Sequence, residues 1–295
     1  MKIAFLACPD TLPGSPTRRP DAFEHDLLLA ALREGCGARA EVIDIDWRAP
    51  LEELARFDVA YLGTPWNYTE AKDEFLARLD ALQGADVGVC NDPAVIRWNS
   101  DKLYLKELEA RSCPSIPTLW PEAPTPADIR GAFEHFGCDR VVVKRRVGAG
   151  AIGQDSFRRG DPAIDTWRMD QPAMIQPFLP AIQSEGELSF IFIGGALSHA
   201  LVKRAAAGDY RIQSLYGGSE VPLEPTHADR KAAEAVMAAL PFAEAPTYAR
   251  IDMVRLESGQ LAVIEAELIE PYLYPEQGPE FGGRLADALL QRSNI

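Results

Sequence analysis

The segment VVVKRRVGAGAIGQ, residues 141–154, decides how the rest of the chain is interpreted. Its glycines match the pattern G-x-G-x-x-G, which marks a dinucleotide-binding turn when it follows a strand and opens a helix. The next residues, QDSFRRGDPAIDTW, have no apolar helical face and contain Gly160 and Pro162. They predict a second strand or a loop, so the helix N-terminus that a dinucleotide pyrophosphate needs is missing.

A glycine-rich turn between two antiparallel strands can instead fold over a nucleotide as a flap, with its backbone N–H groups facing the phosphates. Lys144 precedes the turn on the predicted strand and would point to the same phosphates. A surface hairpin with solvated cations explains the isolated motif equally well. The remainder of the chain therefore has to separate these two interpretations.

The composition limits the classes of function. The chain has 295 residues, a formal net charge of −14 and a sequence pI near 4.8. The acidic balance argues against nucleic-acid or anionic-membrane partners, and no apolar run reaches membrane-span length. The N-terminal MKIAFLACPD predicts a first strand and not a signal peptide. The cysteines lack any C-x-x-C pair, which predicts reduced thiols in the cytoplasm; they are Cys8, Cys36, Cys90, Cys113 and Cys138.

Residues 1–95 alternate apolar strands with amphipathic helices, which predicts a parallel sheet with crossover helices, a Rossmann-like substrate domain. Such sheets bind ligands at the carboxyl ends of their strands. Two loops follow strands here, at 9–21 with the sequence RRP at 18–20, and at 64–70 with TPWNYTE. We regard both as candidate substrate contacts, although Trp66 and Tyr68 could equally pack against the next helix.

Residues 96–295 have a different pattern. A helix is predicted from about Ser100 to Ala110, and the prolines between 114 and 126 exclude a long helix there. Strands with short turn-like connections follow, which favours antiparallel pairing. The predicted fold class is therefore α/β (α+β), with a lid lobe at about 116–177 and a C-terminal lobe at about 178–295.

Three acidic residues near the C-terminus predict a metal site. Glu265 and Glu267 are two positions apart, so they lie on one face of a strand, and Asp252 lies on the preceding strand. Their mutual repulsion requires a compensating cation, and Mg²⁺ prefers such oxygen ligands. The alternation of the strand would put Glu270 on the other face. The alternative interpretation of the three acidic residues is that they face solvent on an edge strand.

Taken together, these motifs resemble the ATP-grasp superfamily, and more narrowly its glutathione-synthetase-like branch. The resemblance covers about residues 91–290 and rests on NDPAVIRWNSDKLYLKEL, VVVKRRVGAGAIG, IQPFLPAIQSEGELSFIFIGG and HALVKRAAAGDYRIQSLYGG, together with the acidic strands. It implies a two-lobed ATP-grasp fold with antiparallel sheets, preceded by a pre-ATP-grasp domain. The ATP ligands that it implies are Lys102, Lys144, Gly148, Gly150, Gly153, Gln176, Phe178, Leu179 and Glu187, with Glu185 as the weaker choice for the ribose.

The same resemblance implies catalytic roles for Lys203 and Arg211, and Mg²⁺ ligands at Asp252, Glu265 and Glu267. It implies ATP with two Mg²⁺ ions, for which Mn²⁺ can substitute, and a homodimer. No Ser-His-Asp triad is expected. His199 is interpreted as structural or solvent-facing, with contact to substrate as the alternative.

The function that the resemblance implies is an ADP-forming carboxylate–amine ligase. In this family ATP phosphorylates a carboxylate, and an amine attacks the acyl phosphate. The substrate would be an amino acid or small peptide. Two strings, PFLPAIQSEGELSFIFIGGALSHALVK and ELIEPYLY, also resemble the ring-closing ligase of cycloserine biosynthesis, so an intramolecular cyclo-ligase is the alternative, with a role in antibiotic biosynthesis. An NAD(P)-dependent oxidoreductase and a non-catalytic nucleotide-binding protein are the rivals from other classes.

Overall fold

The structure is a computed structural model, and it describes residues 1–148, 153–205 and 218–292. Three sheets organise these residues: a four-stranded parallel sheet, a three-stranded antiparallel sheet and a five-stranded antiparallel sheet. The mixture confirms the predicted fold class. None of the helices in the described ranges combines the length and the apolar character that a membrane crossing requires.

The parallel sheet has the strand order β2-β1-β3-β4, and every pair in it is parallel. Strand β3, one of the two central strands, is buried along its whole length. A continuous apolar run predicts such burial for a sheet that helices cover on both faces. The elements of this part are β1 (Lys2–Ala7), α1 (Phe23–Cys36), β2 (Glu41–Asp46), α2 (Leu51–Leu54), β3 (Val59–Thr64), α3 (Lys72–Gly84) and β4 (Gly88–Cys90).

The helix predicted from about Ser100 to Ala110 ends where expected but begins later. It is α5 (Tyr104–Ala110), and a separate helix that was not predicted, α4 (Pro93–Asn99), precedes it. The side chain of Asp92 accepts a hydrogen bond from the N–H of Ala94 and caps α4. Asp101 accepts from the N–H of Leu103 at 3.0 Å, and such a local bond starts a new helix instead of continuing the old one.

The middle of the chain forms the small antiparallel sheet, with the order β6-β5-β7. Helix α6 begins with a capping box, in which Thr125 and Asp128 each bond the other's backbone N–H, and its apolar side covers this sheet. The elements are α6 (Pro126–Phe136), β5 (Arg140–Arg145), β6 (Asp155–Arg158), α7 (Ala163–Thr166) and β7 (Ala173–Pro177).

The five-stranded sheet has the order β10-β9-β8-β11-β12. Its short strand β10 has no counterpart in the sequence interpretation. The elements are α8 (Ala181–Ser184), β8 (Glu187–Ile193), β9 (Ala196–Arg204), β10 (Ser219–Pro222), α9 (His227–Ala238), β11 (Tyr248–Arg255), β12 (Leu261–Glu267) and α10 (Phe281–Arg292).

Two contacts fasten the parallel sheet and its helices to the five-stranded sheet. Helices α1 and α10 approach so closely that a Cβ on Gly35 would stand 2.0 Å from the carbonyl oxygen of Gly282. The rings of Tyr61 and Tyr248 meet edge to face at 5.2 Å, and the Tyr248 hydroxyl lies 2.7 Å from the carbonyl oxygen of Ile269. The boundary near residue 95 and the two lobe boundaries remain predictions, but this packing explains how one cleft can draw side chains from all three sheets.

Candidate functional site

A cleft of about 420 Å³ lies where the three sheets meet. The parallel sheet contributes its loops after β1 and β3, the three-stranded sheet contributes β5 and β7, and all five strands of the five-stranded sheet contribute side chains. Of the predicted site residues, the ones that line this cleft are Lys102, Lys144, Gly148, Gly153, Gln176, Phe178, Leu179, Glu187, Lys203, Asp252, Glu265 and Glu267. Gly150 and Arg211 lie outside the described residues.

Gly148 and Gly153 lie between two antiparallel strands, as the sequence predicted. Strands β5 and β6 are antiparallel, with Val143 opposite Asp155. Gly153 has a φ of +72°, a conformation that favours glycine. Because the chain enters β6 two residues after Gly153, the described residues after the glycines provide no helix N-terminus for a dinucleotide.

Lys102 connects the hairpin to the acidic strand. Its Nζ lies 2.8 Å from Oε1 of Glu265 and donates to the carbonyl oxygen of Gly148 at 2.7 Å. Burial disfavours the ammonium form, but the Glu265 carboxylate outweighs burial and raises the pKa of Lys102. Lys102 therefore stays charged between the hairpin and β12.

Lys144 differs from Lys102 in having no carboxylate within 4.0 Å among the residues that the structure describes. Burial lowers its pKa, and the nearby ammonium of Lys102 adds to this effect. Glu265 attracts the ammonium only from a distance. A half-buried cation that lacks a contacting carboxylate among the described residues is costly, so this site is ready to accept an anion.

The segment after β7 forms an apolar wall of the cleft. Gln176 is buried, and its amide donates to the hydroxyl of Thr118 at 2.9 Å. Phe178 stacks beneath the guanidinium of Arg140, with 3.8 Å from Cζ to the ring centroid. Leu179 packs with Ile264 in a small cluster beside the acidic strand.

Lys203 lies between two buried carboxylates. Its Nζ forms an ion pair with Glu187 and lies 3.2 Å from Oδ1 of Asp252. Burial and Arg250 disfavour its charge, but Asp252 and Glu187 raise the pKa of Lys203 well above its usual value. Glu185, the weaker candidate, instead pairs with Arg255 and is absent from the residues that line the cleft.

Arg250 is a site residue that the sequence interpretation missed. Its guanidinium contacts Oδ2 of Asp252 at 3.0 Å, forms an ion pair with Glu267 and donates to the carbonyl oxygen of Tyr272 at 3.0 Å. Although burial raises the pKa of Asp252, Arg250 and Lys203 together hold it below its usual value. Arg250 and Asp252 are two positions apart on β11, so their side chains lie on the same face of the strand. This spacing is the sequence signal that could have identified Arg250.

Two glutamates in the cleft are harder to ionise. Burial raises the pKa of Glu267 to about 7. Burial, followed by the charge of Glu267, raises the pKa of Glu270 to about 8. The sequence interpretation of Glu270 was wrong, because β12 ends at Glu267 and the alternation does not continue to residue 270. Glu270 lines the same cleft.

The acidic residues do not form a closed metal cage. No group of three or more His, Cys, Asp or Glu side chains in the described ranges has the arrangement of a metal site. Asp252 and Glu265 nevertheless face each other across β11 and β12, and both line the cleft beside Glu267. Mg²⁺ usually takes one or two carboxylates and completes its shell with phosphate and water oxygens. The donor set therefore fits a magnesium–nucleotide complex better than a bare ion.

The two loops that were predicted to contact substrate meet at the cleft. The guanidinium of Arg19 lies 5.0 Å from the ring of Trp66 and is held by Asp21 at 2.9 Å. Tyr68 is buried and lines the cleft. Glu24 at the start of α1 also lines it, and burial raises the pKa of Glu24 to about 7. The sequence offered no signal for Glu24, because it lies inside an amphipathic helix.

His199 lies outside the residues that line the cleft. Its Nε2 lies 3.1 Å from the carbonyl oxygen of Leu273, and burial lowers its pKa to about 4. All five cysteines are free thiols.

Comparisons with known proteins agree with this geometry. Residues 3–91 match the family described as the N-terminal domain of D-cycloserine synthetase DcsG. The chain is 29% identical over 286 residues to the cycloserine biosynthesis protein DcsG of Streptomyces lavendulae, a match that covers 90% of this chain and 94% of the relative. It is 24% identical over 271 residues to a probable alpha-L-glutamate ligase of Aliivibrio fischeri, covering 89% and 86% of the two chains.

Solved structures share the fold. The crystal structure of D-cycloserine synthetase DcsG superposes with a TM-score of 0.82 at 24% identity and covers 99% of this chain and 100% of that one. The D-alanine–D-alanine ligase of Bacillus anthracis superposes with a TM-score of 0.70 at 17% identity, covering 100% and 97%. Motifs, fold and relatives point the same way, and the chain is an enzyme that is similar to ligases with the ATP-grasp fold.

Proposed function

We propose that this enzyme is an ATP-dependent, ADP-forming carboxylate–amine ligase that works through an acyl phosphate. The observation that supports it best is the meeting of cations and carboxylates in one cleft beneath a glycine hairpin. Phosphoryl transfer requires positioning and charge neutralisation more than a protein nucleophile. Lys102, Lys144 and Lys203 supply positive charge to this cleft, and Asp252 and Glu265 supply metal-binding oxygens.

In this proposal ATP lies between the hairpin and β12. Lys102 and Lys144 bind its phosphates, together with the backbone of the turn at Gly148, Gly150 and Gly153. The adenine lies against the wall formed by Gln176, Phe178 and Leu179. Glu187 holds the ribose hydroxyls, for which it has to exchange its contact with Lys203. Since Glu185 already pairs with Arg255, Glu187 is the better candidate.

Asp252, Glu265 and Glu267 hold Mg²⁺ in this proposal, as two ions for which Mn²⁺ can substitute. The metal would neutralise the phosphate charge and polarise the transferring phosphoryl group. To bind it, Glu265 has to exchange Lys102 for the metal. Glu267 has to lose the proton that its raised pKa retains near neutral pH.

The reaction then has two steps. An oxygen of the substrate carboxylate attacks the γ-phosphorus of ATP, the bond to the ADP oxygen breaks, and ADP leaves. An amine nitrogen next attacks the acyl carbon, the C–N bond forms, phosphate departs and the amine loses a proton. Lys203 and Arg250 face the reacting groups and stabilise the negative charge of both transition states. Arg211 joins them in this proposal. The hairpin excludes water, which would otherwise hydrolyse the acyl phosphate.

The charge pattern of the cleft favours a substrate with an ammonium group, as in an amino acid. Arg19 is already neutralised by Asp21, whereas Glu24 and Glu270 have no cation within 4.0 Å in the described part of the chain. The same cleft is lined by three tyrosines, Tyr68, Tyr272 and Tyr274. Their hydroxyls have no hydrogen-bond partner among the described residues. Their aromatic faces can also attract an ammonium group. The proposal is therefore that the enzyme acts on a small amino-acid-like substrate. It also includes a cytoplasmic location and a homodimer.

An intramolecular reaction is the second candidate. The match to DcsG of Streptomyces lavendulae extends over 90% of this chain and 94% of the relative, and the family match of residues 3–91 covers the region that contributes substrate-side loops. A cyclo-ligase would use the same acyl phosphate and take the nucleophile from the same molecule, as in an O-ureido amino acid.

A screen of ADP release tests both candidates. Amino acids, small peptides and O-ureido amino acids are supplied with ATP and Mg²⁺, and products are identified by mass spectrometry. An adduct with the mass of acid plus amine minus water indicates intermolecular ligation, whereas a cyclic product from one substrate indicates the cyclo-ligase. ATP with Mg²⁺ should raise the melting temperature and NADH should not. The reverse ligand response would support the oxidoreductase instead.

A further inference from the structure

The outer edge of β12, which bears Glu265 and Glu267, is covered by side chains and one loop instead of a sixth strand. β12 is the last strand of its sheet, so every second N–H and C=O group along it faces away from β11. The N–H of Val263 bonds the carbonyl oxygen of Pro114 at 2.9 Å. The N–H of Ala266 bonds the hydroxyl of Tyr104 at 3.0 Å. Such groups would be costly if they were buried without partners.

Asn99 completes this edge at the position that matters for the cleft. Its carboxamide N–H donates to the carbonyl oxygen of Ala266 at 2.7 Å, and its carboxamide oxygen accepts from the N–H of Leu268 at 2.9 Å. These two peptide groups flank Glu267. The Asn99 side chain is buried, lines the cleft and bonds the strand as one residue of a neighbouring strand would.

Glu267 needs this support because it is the last residue of β12. Its pairing with Arg250 is the last pairing between β11 and β12, so the ladder holds it from one side only. Arg250 attracts its carboxylate, whereas Glu265 and Glu270, which line the same cleft, repel it. A strand end without partners on its outer side would shift under these opposing forces.

We infer that Asn99 is a positioning residue, which holds the backbone on both sides of Glu267 so that its carboxylate stays directed at the metal site of the cleft. The inference rests on the proposed function, since it assigns Glu267 to the metal. Lys102 lies three residues further on and contacts Glu265, so the segment from Asn99 to Tyr104 connects the phosphate side of the cleft to the metal side.

Asn91 offers a matched control on the same strand end. Its carboxamide donates to the carbonyl oxygen of Leu268 at 2.7 Å and to that of Tyr248 at 2.9 Å. Both asparagines are buried and bond backbone groups through the same chemistry. Asn91 does not bond the peptide groups next to Glu267, so its loss should reduce stability without a specific effect on the metal.

The experiment measures Mn²⁺ binding to the full chain in the presence of saturating ADP, by calorimetry or by electron paramagnetic resonance. Asn99→Leu removes both bonds, and Asn99→Asp keeps only the acceptor for the N–H of Leu268. We expect both to weaken Mn²⁺ affinity by about 10- to 100-fold, the usual cost of losing a residue that orients a metal ligand. Asn91→Leu should lower the melting temperature and leave Mn²⁺ affinity within about twofold in the folded protein, because Asn91 shares no hydrogen bond with the peptide groups beside Glu267.

Unchanged Mn²⁺ affinity in folded Asn99→Asp would overturn the inference, as would an equal loss in the Asn91 and Asn99 variants. If Asn99→Leu does not fold, Asn99→Asp decides alone. Failure of the wild-type chain to bind Mn²⁺ with ADP would refute the proposed metal site itself. The two failures are therefore distinguishable.

Discussion

The ammonium of Lys102 lies 2.8 Å from a carboxylate oxygen of Glu265. In the proposed function, one of these groups binds phosphate and the other binds metal. Without nucleotide they neutralise each other, which reduces the cost of burying both charges in one cleft. Binding of ATP with Mg²⁺ exchanges this internal ion pair for two new ones, so affinity should depend on both partners.

Replacing the two acidic residues of β12 tests the metal assignment. We expect Glu265→Gln with Glu267→Gln to reduce ADP release at least about 100-fold, because electrostatic stabilisation of the transferring phosphoryl group is lost. Glu185→Gln is the control, since Glu185 pairs with Arg255 away from the cleft. Wild-type turnover in the double variant would show that the metal is held elsewhere.

The two lysines should respond in opposite ways to the same substitution. Lys144→Met removes a cation that has no carboxylate partner in the described residues. It should raise the melting temperature of the nucleotide-free protein by roughly 2–4 °C, a change of about 1 kcal/mol, and weaken ATP binding. Lys102→Met leaves Glu265 without its cation, so it should lower the melting temperature. Calorimetry without and with ATP measures both effects, and a stabilising Lys102→Met would contradict this account.

Arg250 should not tolerate lysine. Its guanidinium contacts Asp252, Glu267 and the carbonyl oxygen of Tyr272 at once, and a single ammonium lacks that planar geometry. We expect Arg250→Lys to reduce kcat by about 100- to 1,000-fold with a smaller change in KM for ATP. Arg255→Lys, also between two carboxylates but outside the cleft, should retain nearly full turnover. A loss confined to KM would assign Arg250 to substrate binding alone.

Glu270 makes the stability of the nucleotide-free protein depend on pH. Burial raises its pKa to about 8, above the value of about 4.3 in an unfolded chain. Between these values the folded state binds the additional proton, so stability falls as pH rises. Glu270→Gln should therefore raise the melting temperature at pH 8 by roughly 2–4 °C, which corresponds to about 1 kcal/mol, and change it little at pH 4. Melting curves of both proteins across this range provide the test, and parallel curves would contradict it.

Local patterns predicted much of the fold because they depend on short stretches of chain. The alternation around Lys144 and the missing helix after Gly153 were sufficient to predict the two antiparallel strands on either side of the glycines, which the structure contains. Where local capping chemistry competed with periodicity, the prediction missed the start of a helix: Asp101 bonds the N–H of Leu103, and α5 begins at Tyr104 instead of near Ser100.

For the site, spacing along one strand placed Glu265 and Glu267 on a shared face, and both line the cleft. It could not place Glu270, whose position depends on where β12 ends. It also could not find Glu24, because a carboxylate on an amphipathic helix resembles any solvated residue until another element covers it.

The sequence by itself determined the alternation of strands and helices in the N-terminal part, the strands around the glycine run and the face of β12 that bears Glu265 and Glu267. These features follow from backbone periodicity and from the conformations that glycine and proline allow. Only the tertiary structure decided which charges meet. Asn99 bonds Ala266 and Leu268, which lie 167 and 169 residues further along the chain than Asn99. Arg250 joins Asp252 to Glu267 across two strands. Such contacts depend on how distant elements pack, and periodicity within one element carries no information about its neighbours.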